Sequence, residues 1–529
     1  MNVNKKFSIM NIAVLLLAGL IAVFMSLRIF SMLANVISIS AAANISSECR
    51  DFVSFRITKA FLENINPYTL EALSGHVPLA DLYTFLQPLC VAVICKITGT
   101  GILEGNFSFN MLCVLGTAIC IFFIMQSSFN EITKGVKGII LILCIFSVSG
   151  TFFTMFTISF FTFRPDSIGI LLTAALMLVV NRCPQRTFLA AFISVMLIHA
   201  KQILIIIAFP VFVYYLVNNK TLALKYFLYC LLLGIITLVA VYYIFPLYWG
   251  SCIFAQSKII HTSRSYALRN IIKCCVKYYA FIIMGLAGTA AALFLTGKNI
   301  FAKLRHDYIL FIILYIISSL VCLLWVAGAG GDGLKYCFAM LAPPMVIFAL
   351  SIWKFVNVKS CEKFILVLSA AACLVTFRNF GRLKYTLNDM INYSKLWETI
   401  RAYDTGEKYI YLGMSANNYL LKEENSRKNY ILFEDGHTEY FIRQINKASR
   451  LDNLFAELLY VDKIYGAFND YAARVNEMIS KKEFALIVIP WSDVINKDKL
   501  NENYKILQEL ECRNSIGQNL AVKLYVPKQ

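Results

Sequence analysis

From Ile9 to about Phe377 the chain is a succession of long apolar runs separated by short polar connections. The runs fall at about 9–30, 84–98, 106–127, 137–163, 166–181, 187–217, 223–247, 278–297, 308–327, 335–353 and 363–379. A helix needs about 20 apolar residues to cross the hydrocarbon of a bilayer. The pattern therefore predicts an α-helical multi-pass membrane protein with about 11–13 transmembrane helices. A signal peptide followed by a soluble body does not fit runs so many and so long.

The connections set the orientation. "MNVNKK" at the start is basic, as are "NRCPQR" (181–186), "NNKTLALK" (218–225), "GKNIFAKLR" (297–305) and "WKFVNVKSCEK" (353–363). Short basic loops stay on the cytoplasmic side. The N-terminus is then cytoplasmic, and "RPD", "HAKQ" and "GAGGDGLK" fall on the outer side with the C-terminal tail. Parity requires the run at 137–163 to pass twice, breaking near Gly150. It also requires the 187–217 run to fold back at "HAKQ", with halves too short for full spans.

The pattern changes at two places. Residues 35–82 form a long polar interruption, the first external loop. Within it, Asp51 to Leu62 reads as an amphipathic helix, with Phe52, Phe55, Ala60 and Leu62 interleaved with Arg56 and Lys59. Such a helix suits an interface between apolar and aqueous layers. From about 385 the long runs cease. "EKYIYLGM", "KNYILFED", "FALIVIPW" and "LAVKLYVP" read as strands, and 394–403 and 468–482 as helices. The division is thus 1–384, a polytopic membrane domain, and 385–529, a small soluble α/β domain docked on the outer face. The latter has no GxGxxG and no P-loop.

Composition sharpens this picture. The 529 residues are 59% hydrophobic and 15% charged, with a mean hydropathy of +0.66. The net charge of +18 is unevenly placed. Residues 385–529 hold 19 basic and 20 acidic side chains, leaving 30 and 11 for residues 1–384. Cytoplasmic loops account for that excess, and a nucleic-acid partner is not needed. Fifteen of the 16 cysteines precede residue 384, mostly within apolar runs and never as CxxC. They read as small hydrophobes. With no HExxH either, no metal site is expected.

Acids in the first 384 residues are scarce, and five lie in the first external loop: Glu48, Asp51, Glu63, Glu71 and Asp81. Charges near a bilayer tend to be functional. From sequence alone Asp51 also reads as a helix N-cap. Lys201, beside His199 and Gln202 in an apolar run, calls for an anionic partner, a lipid phosphate or Asp166, unless it snorkels to the surface. In "FTFRPDSIGILL", Pro165, Asp166 and Ser167 suit a helix start. Arg164 has no such reason and is a fork donor fitted to phosphate.

Four segments in order resemble the GT-C superfamily of polyprenyl-phosphate-sugar glycosyltransferases, the type of the protein O-mannosyltransferases and the lipid A aminoarabinose transferase. They are the first loop with Asp51, a helix and "NPY"; "RPDSIGILLTAALML"; "HAKQILIIIAFPVFVYYL"; and "GAGGDGLKYCFAMLAPPMV". The resemblance covers most of residues 9–380. It departs from many relatives in having Phe52 after Asp51 and Asn64–Ile65 before "NPY". It implies an outward-facing cavity for a lipid-linked donor, with Asp51 as general base and Glu48 as the alternative. Arg164, Lys201 and Lys335 would contact the donor phosphate, supported by Asp166, Gln202, Tyr336 and Arg56.

The expected activity is transfer of a sugar from a polyprenyl-phosphate donor to an extracytoplasmic glycan, lipid or protein. The chain would act in the plasma membrane by one inverting step without a required cofactor, although some relatives use a divalent metal. Two other readings stand beside it. A polysaccharide or lipid transporter would show inverted repeats, and none is visible. An O-antigen-type polymerase or ligase would centre on a large late external loop.

Overall fold

The structure is a computed structural model that describes residue 16 and residues 50–74, 84–128, 165–255, 391–412, 430–432, 460–489, 495–513 and 519–529. It is mostly helical with one small sheet. The runs expected at 137–163, 278–297, 308–327, 335–353 and 363–379 lie outside the described residues, as does nearly all of 9–30.

The helical part is a bundle. Its elements are α1 (Arg50–Leu62), α2 (Leu70–Ser74), α3 (Leu86–Thr98), α4 (Ile102–Ser128), α5 (Asp166–Arg182), α6 (Thr187–Ala200), a 3₁₀ segment (Gln202–Ile207), α7 (Ala208–Asn218) and α8 (Lys220–Ile244). A π-helical turn, Trp249–Ala255, follows. Local signals set the boundaries. Gly99 caps α3 at φ +68°, a left-handed conformation that glycine adopts without strain. Asn219 caps α8, its side chain accepting from the backbone of Thr221 and Leu222. Asp166 opens α5 directly after Pro165.

Two described helices are long and apolar enough to cross a membrane: Glu104–Ile121 within α4, and α8. Helix α8 exposes Leu224, Leu228, Leu231, Ile235 and Leu238, each at least half accessible. Helices α3, α6 and α7 are apolar but shorter.

The 187–217 run folds back where a charge interrupts it. Lys201 is extended, at φ −162° and ψ 126°, between α6 and the 3₁₀ segment. One hydroxyl shows the geometry. Tyr226 Oη on α8 shares a 2.8 Å hydrogen bond with Ser194 Oγ and lies 3.4 Å from the Ala208 carbonyl oxygen. In a straight helix at 1.5 Å per residue, residues 194 and 208 would be about 21 Å apart. Here both halves flank the same helix.

The C-terminal part contains α9 (Ile391–Tyr403), β1 (Tyr409–Leu412), β2 (Tyr430–Leu432), α10 (Val461–Ser480), β3 (Phe484–Ile489), α11 (Lys497–Asn503), β4 (Tyr504–Arg513) and β5 (Asn519–Pro527). The strand order is β2-β1-β3-β5-β4. β1 runs parallel to both β2 and β3, while β5 is antiparallel to β3 and β4. β3 is central and almost wholly buried, hence its uninterrupted "FALIVI". On one sheet face Ile410, Leu412, Leu486, Val488 and Leu524 pack against Leu396, Trp397 and Ile400 of α9. On the other, Tyr411, Phe484 and Ile487 meet Tyr471, Val475 and Ile479 of α10.

Helix α1 differs from the expected interfacial helix with a solvated face. Ser54, Phe55, Ile57, Thr58 and Ala60 are all buried. Phe55 enters the core beneath the sheet with Trp397 and Leu412, while Ile57 joins Tyr68, Phe85 and Tyr248 on the bundle side. The sheet domain packs on Phe55, while Arg56 and Lys59 stay half-buried. α1 is therefore a layer between two cores.

Candidate functional site

The break at Lys201 brings together residues distant in sequence. Lys201 Nζ lies 2.6 Å from Asp166 Oδ1, and their side chains are 10% and 9% exposed. The carboxylate sits on the first residue of α5, the ammonium on the residue that ends α6. Of the partners open to Lys201 from sequence, the structure shows Asp166. A buried charge keeps its ionised form at bearable cost only beside an opposite charge and further hydrogen bonds.

Breaking a buried helix also frees backbone groups that need partners. The Ala200 carbonyl accepts a 2.7 Å hydrogen bond from Thr84 Oγ1, which is fully buried. The Lys201 amide donates to the Leu197 carbonyl at 2.9 Å. Gln202 Nε2 donates to the Cys252 carbonyl, tying the break to the π-helical turn. His199 Nδ1 and Tyr248 Oη lie 3.2 Å apart. Around that pair stand the rings of Phe85 and Trp249. Phe85 and Tyr248 belong to the cluster that receives Ile57 of α1. The aromatic cluster thus links the helix carrying the candidate base to the segment carrying Lys201.

Of the residues expected from sequence, Asp166, Lys201 and Gln202 meet at this break. Asp51 is the second residue of α1, whose described side chains begin at Ser54. Arg56 is half-buried on the same helix. Arg164, Lys335, Tyr336 and Glu48 lie outside the described residues. No protein-family model and no curated protein matches this chain.

Thr84 and Tyr248 were not singled out by sequence. A hydroxyl at the start of an apolar run carries no periodic signal, and the partner of Thr84 is 116 positions away. Among the described residues no group of three or more His, Cys, Asp or Glu is placed to hold a metal ion. Cys90, Cys95, Cys113, Cys120, Cys183, Cys230 and Cys252 are free thiols.

Chemically, the break offers one cation held below the surface. Its counter-ion is fixed to a helix start, and its backbone is pinned by Thr84 and Gln202.

Proposed function

We propose that this chain is a multi-pass, GT-C-like integral membrane glycosyltransferase. It transfers a sugar from a polyprenyl-phosphate donor to an acceptor outside the cytoplasm. The observation that carries the reading is the buried Lys201–Asp166 pair at a helix break within an otherwise apolar run. Lys201 is paired with Asp166 at the break, and a lipid phosphate, the leaving group of this reaction, offers the same ammonium an anion of the same kind. The exposed apolar face of α8 supports a lipid environment.

The reaction has three requirements. The acceptor oxygen attacks the anomeric carbon while the bond to the phosphate oxygen breaks with its electron pair. The acceptor proton passes to a carboxylate, the role assigned to Asp51. Lys201, with Arg164 and Lys335, neutralises the charge that develops on the departing phosphate. Gln202, Asp166, Arg56 and Tyr336 orient these groups. A closed site keeps water from replacing the acceptor. In this scheme Asp166 holds Lys201 in place until phosphate arrives. The acceptor is a cell-envelope glycan, lipid or protein, and the sheet domain faces the same compartment.

The test is lipid-linked sugar profiling in cells with and without the protein, followed by transfer assays on purified Asp51→Asn. The proposal expects a polyprenyl-phosphate sugar to accumulate when the protein is absent. It also expects the variant to insert normally with transfer lost. Full transfer by Asp51→Asn removes the base assignment, and unchanged lipid profiles remove the reaction. A C-terminal tag that labels only from the cytoplasm reverses the topology.

A further inference from the structure

The "NPY" turn of the first loop, Asn66–Pro67–Tyr68, has no part in the scheme above. The structure places it against the C-terminal end of α8, 178 positions further along the chain. Asn66 Nδ2 donates to the carbonyl of Ile244, the last residue of α8, at 2.6 Å. The final carbonyls of a helix have no partner within it, and this one is met by a side chain from another segment. Oδ1 of the same side chain accepts from the Tyr68 amide at 3.0 Å. That bond is how an asparagine folds the two residues after it into a turn. Pro67, buried between them, fixes φ there.

Tyr68 carries the tie further. Its carbonyl accepts from the Leu247 amide at 3.1 Å. Its ring stands edge-on to Phe245 and Tyr248, with centroids 5.2 and 5.6 Å away. The Leu247 carbonyl accepts in turn from the Ser251 amide at 2.9 Å and the Ser251 hydroxyl at 2.7 Å. Residues 245–252 are thereby fixed to the motif through backbone and rings together. The same residues hold the helix break at two points. Tyr248 Oη lies 3.2 Å from His199 Nδ1, and the Cys252 carbonyl accepts from Gln202 Nε2. His199 and Gln202 flank Lys201 on either side. Each link from Asn66 to them is a direct contact.

We propose that Asn66 is a positioning residue for the Lys201 break. It fixes the turn that holds His199 and Gln202, and so ties the first loop to the cation of the site. Its catalytic consequence rests on the glycosyltransferase reading: the clamp keeps Lys201 in a set place relative to the first loop, which carries Asp51.

The test uses the full chain and three variants. Asn66→Ala removes both bonds, Asn66→Asp keeps the acceptor and loses the donor, and Tyr248→Phe keeps the ring on Tyr68 and loses the hydroxyl beside His199. Hydrogen exchange is read in detergent without substrate. In both Asn66 variants the amides of 245–248 and of 199–204 should exchange about fivefold faster, the gain in opening from one lost hydrogen bond. Those of 173–182 in α5 should keep their wild-type rates. Tyr248→Phe should speed 199–204 and leave 245–248 unchanged. Faster exchange confined to 245–248, or equal throughout the chain, leaves Asn66 a helix cap alone and overturns the proposal. If neither Asn66 variant folds, the pattern in Tyr248→Phe decides. Steady-state transfer is then measured with the polyprenyl-phosphate sugar that accumulates in cells lacking the protein. The Asn66 variants should lower kcat and leave the KM for that lipid near its wild-type value, a split that lost stability does not produce. An unchanged kcat overturns the catalytic consequence. Wild type that transfers no sugar overturns the glycosyltransferase reading, while the exchange pattern still decides the clamp.

Discussion

The Thr84 hydroxyl donates a 2.7 Å hydrogen bond to the carbonyl of Ala200, at the point where α6 stops. It satisfies a backbone oxygen that the helix break leaves exposed inside the fold. Thr84→Val keeps the shape and removes the donor. It should cost about 1–3 kcal/mol, the penalty of a buried carbonyl left alone. Thr84→Ser should restore most of it. Thermal unfolding of the two variants in detergent checks this, and equal stabilities would show that the bond does not hold the break.

The ion pair should behave asymmetrically. Asp166→Asn or Lys201→Met alone strands one buried charge, at a cost of about 3–5 kcal/mol. The double substitution strands none and should recover much of the loss. Sugar transfer should stay absent in both Lys201 variants, whatever their stability. The measurement is a double-mutant cycle on unfolding free energy. Strict additivity would mean that the two residues do not support each other.

Phe55 should anchor the sheet domain to α1. It is 5% exposed among Leu396, Trp397, Ile400 and Leu412. Phe55→Ala should cost about 3–5 kcal/mol through the cavity it leaves. Hydrogen exchange should accelerate in β1 and β3 of this variant more than in α6 or α8. Uniform acceleration throughout would place the loss elsewhere.

The sheet domain should weaken in alkali by way of Tyr504. Burial raises its phenol to about 12, and its hydroxyl meets the Phe484 backbone amide at 3.2 Å. The ordinary phenol value is near 10. Below pH 10 the folded and unfolded states both keep the proton, so the contribution is complete. Between about 10 and 12 the unfolded state loses it first, and stability falls as pH rises. Tyrosinate absorbance followed alongside unfolding tests this. Tyr504→Phe should remove this part of the pH dependence and leave a smaller slope.

Sequence carried some of these features and not others, for identifiable reasons. The break at Lys201 was visible because a charge in an apolar run marks itself, and Asp166 was among its possible partners. Strands β1, β2, β3 and β5 carry apolar stretches that a sheet interior requires. β4, "YKILQELECR", carries no such apolar stretch. It lies at the sheet edge, and Lys505, Gln508, Glu509 and Glu511 are exposed there, as suits an edge that should not recruit another chain. The burial of α1 on both sides was hidden too. Phe55 owes its cover to residues more than 300 positions away, and no local pattern reports that.

One helix joins the two parts of the chain. Residues Tyr471, Val475 and Ile479 of α10 fill the sheet domain's core, while Ile464 near its start packs among Tyr68, Phe85 and Tyr248 of the bundle. Tyr460, at the N-cap, stacks on Tyr242 of α8. Melting the sheet domain therefore strips a wall from the aromatic cluster around His199, beside the Lys201 break. The consequence is coupling: the two regions that composition separates at residue 385 share packing through this helix, so loss of one exposes apolar surface of the other. Whatever loads or steadies the sheet domain also bears, through α1 and α10, on the packing beside the break.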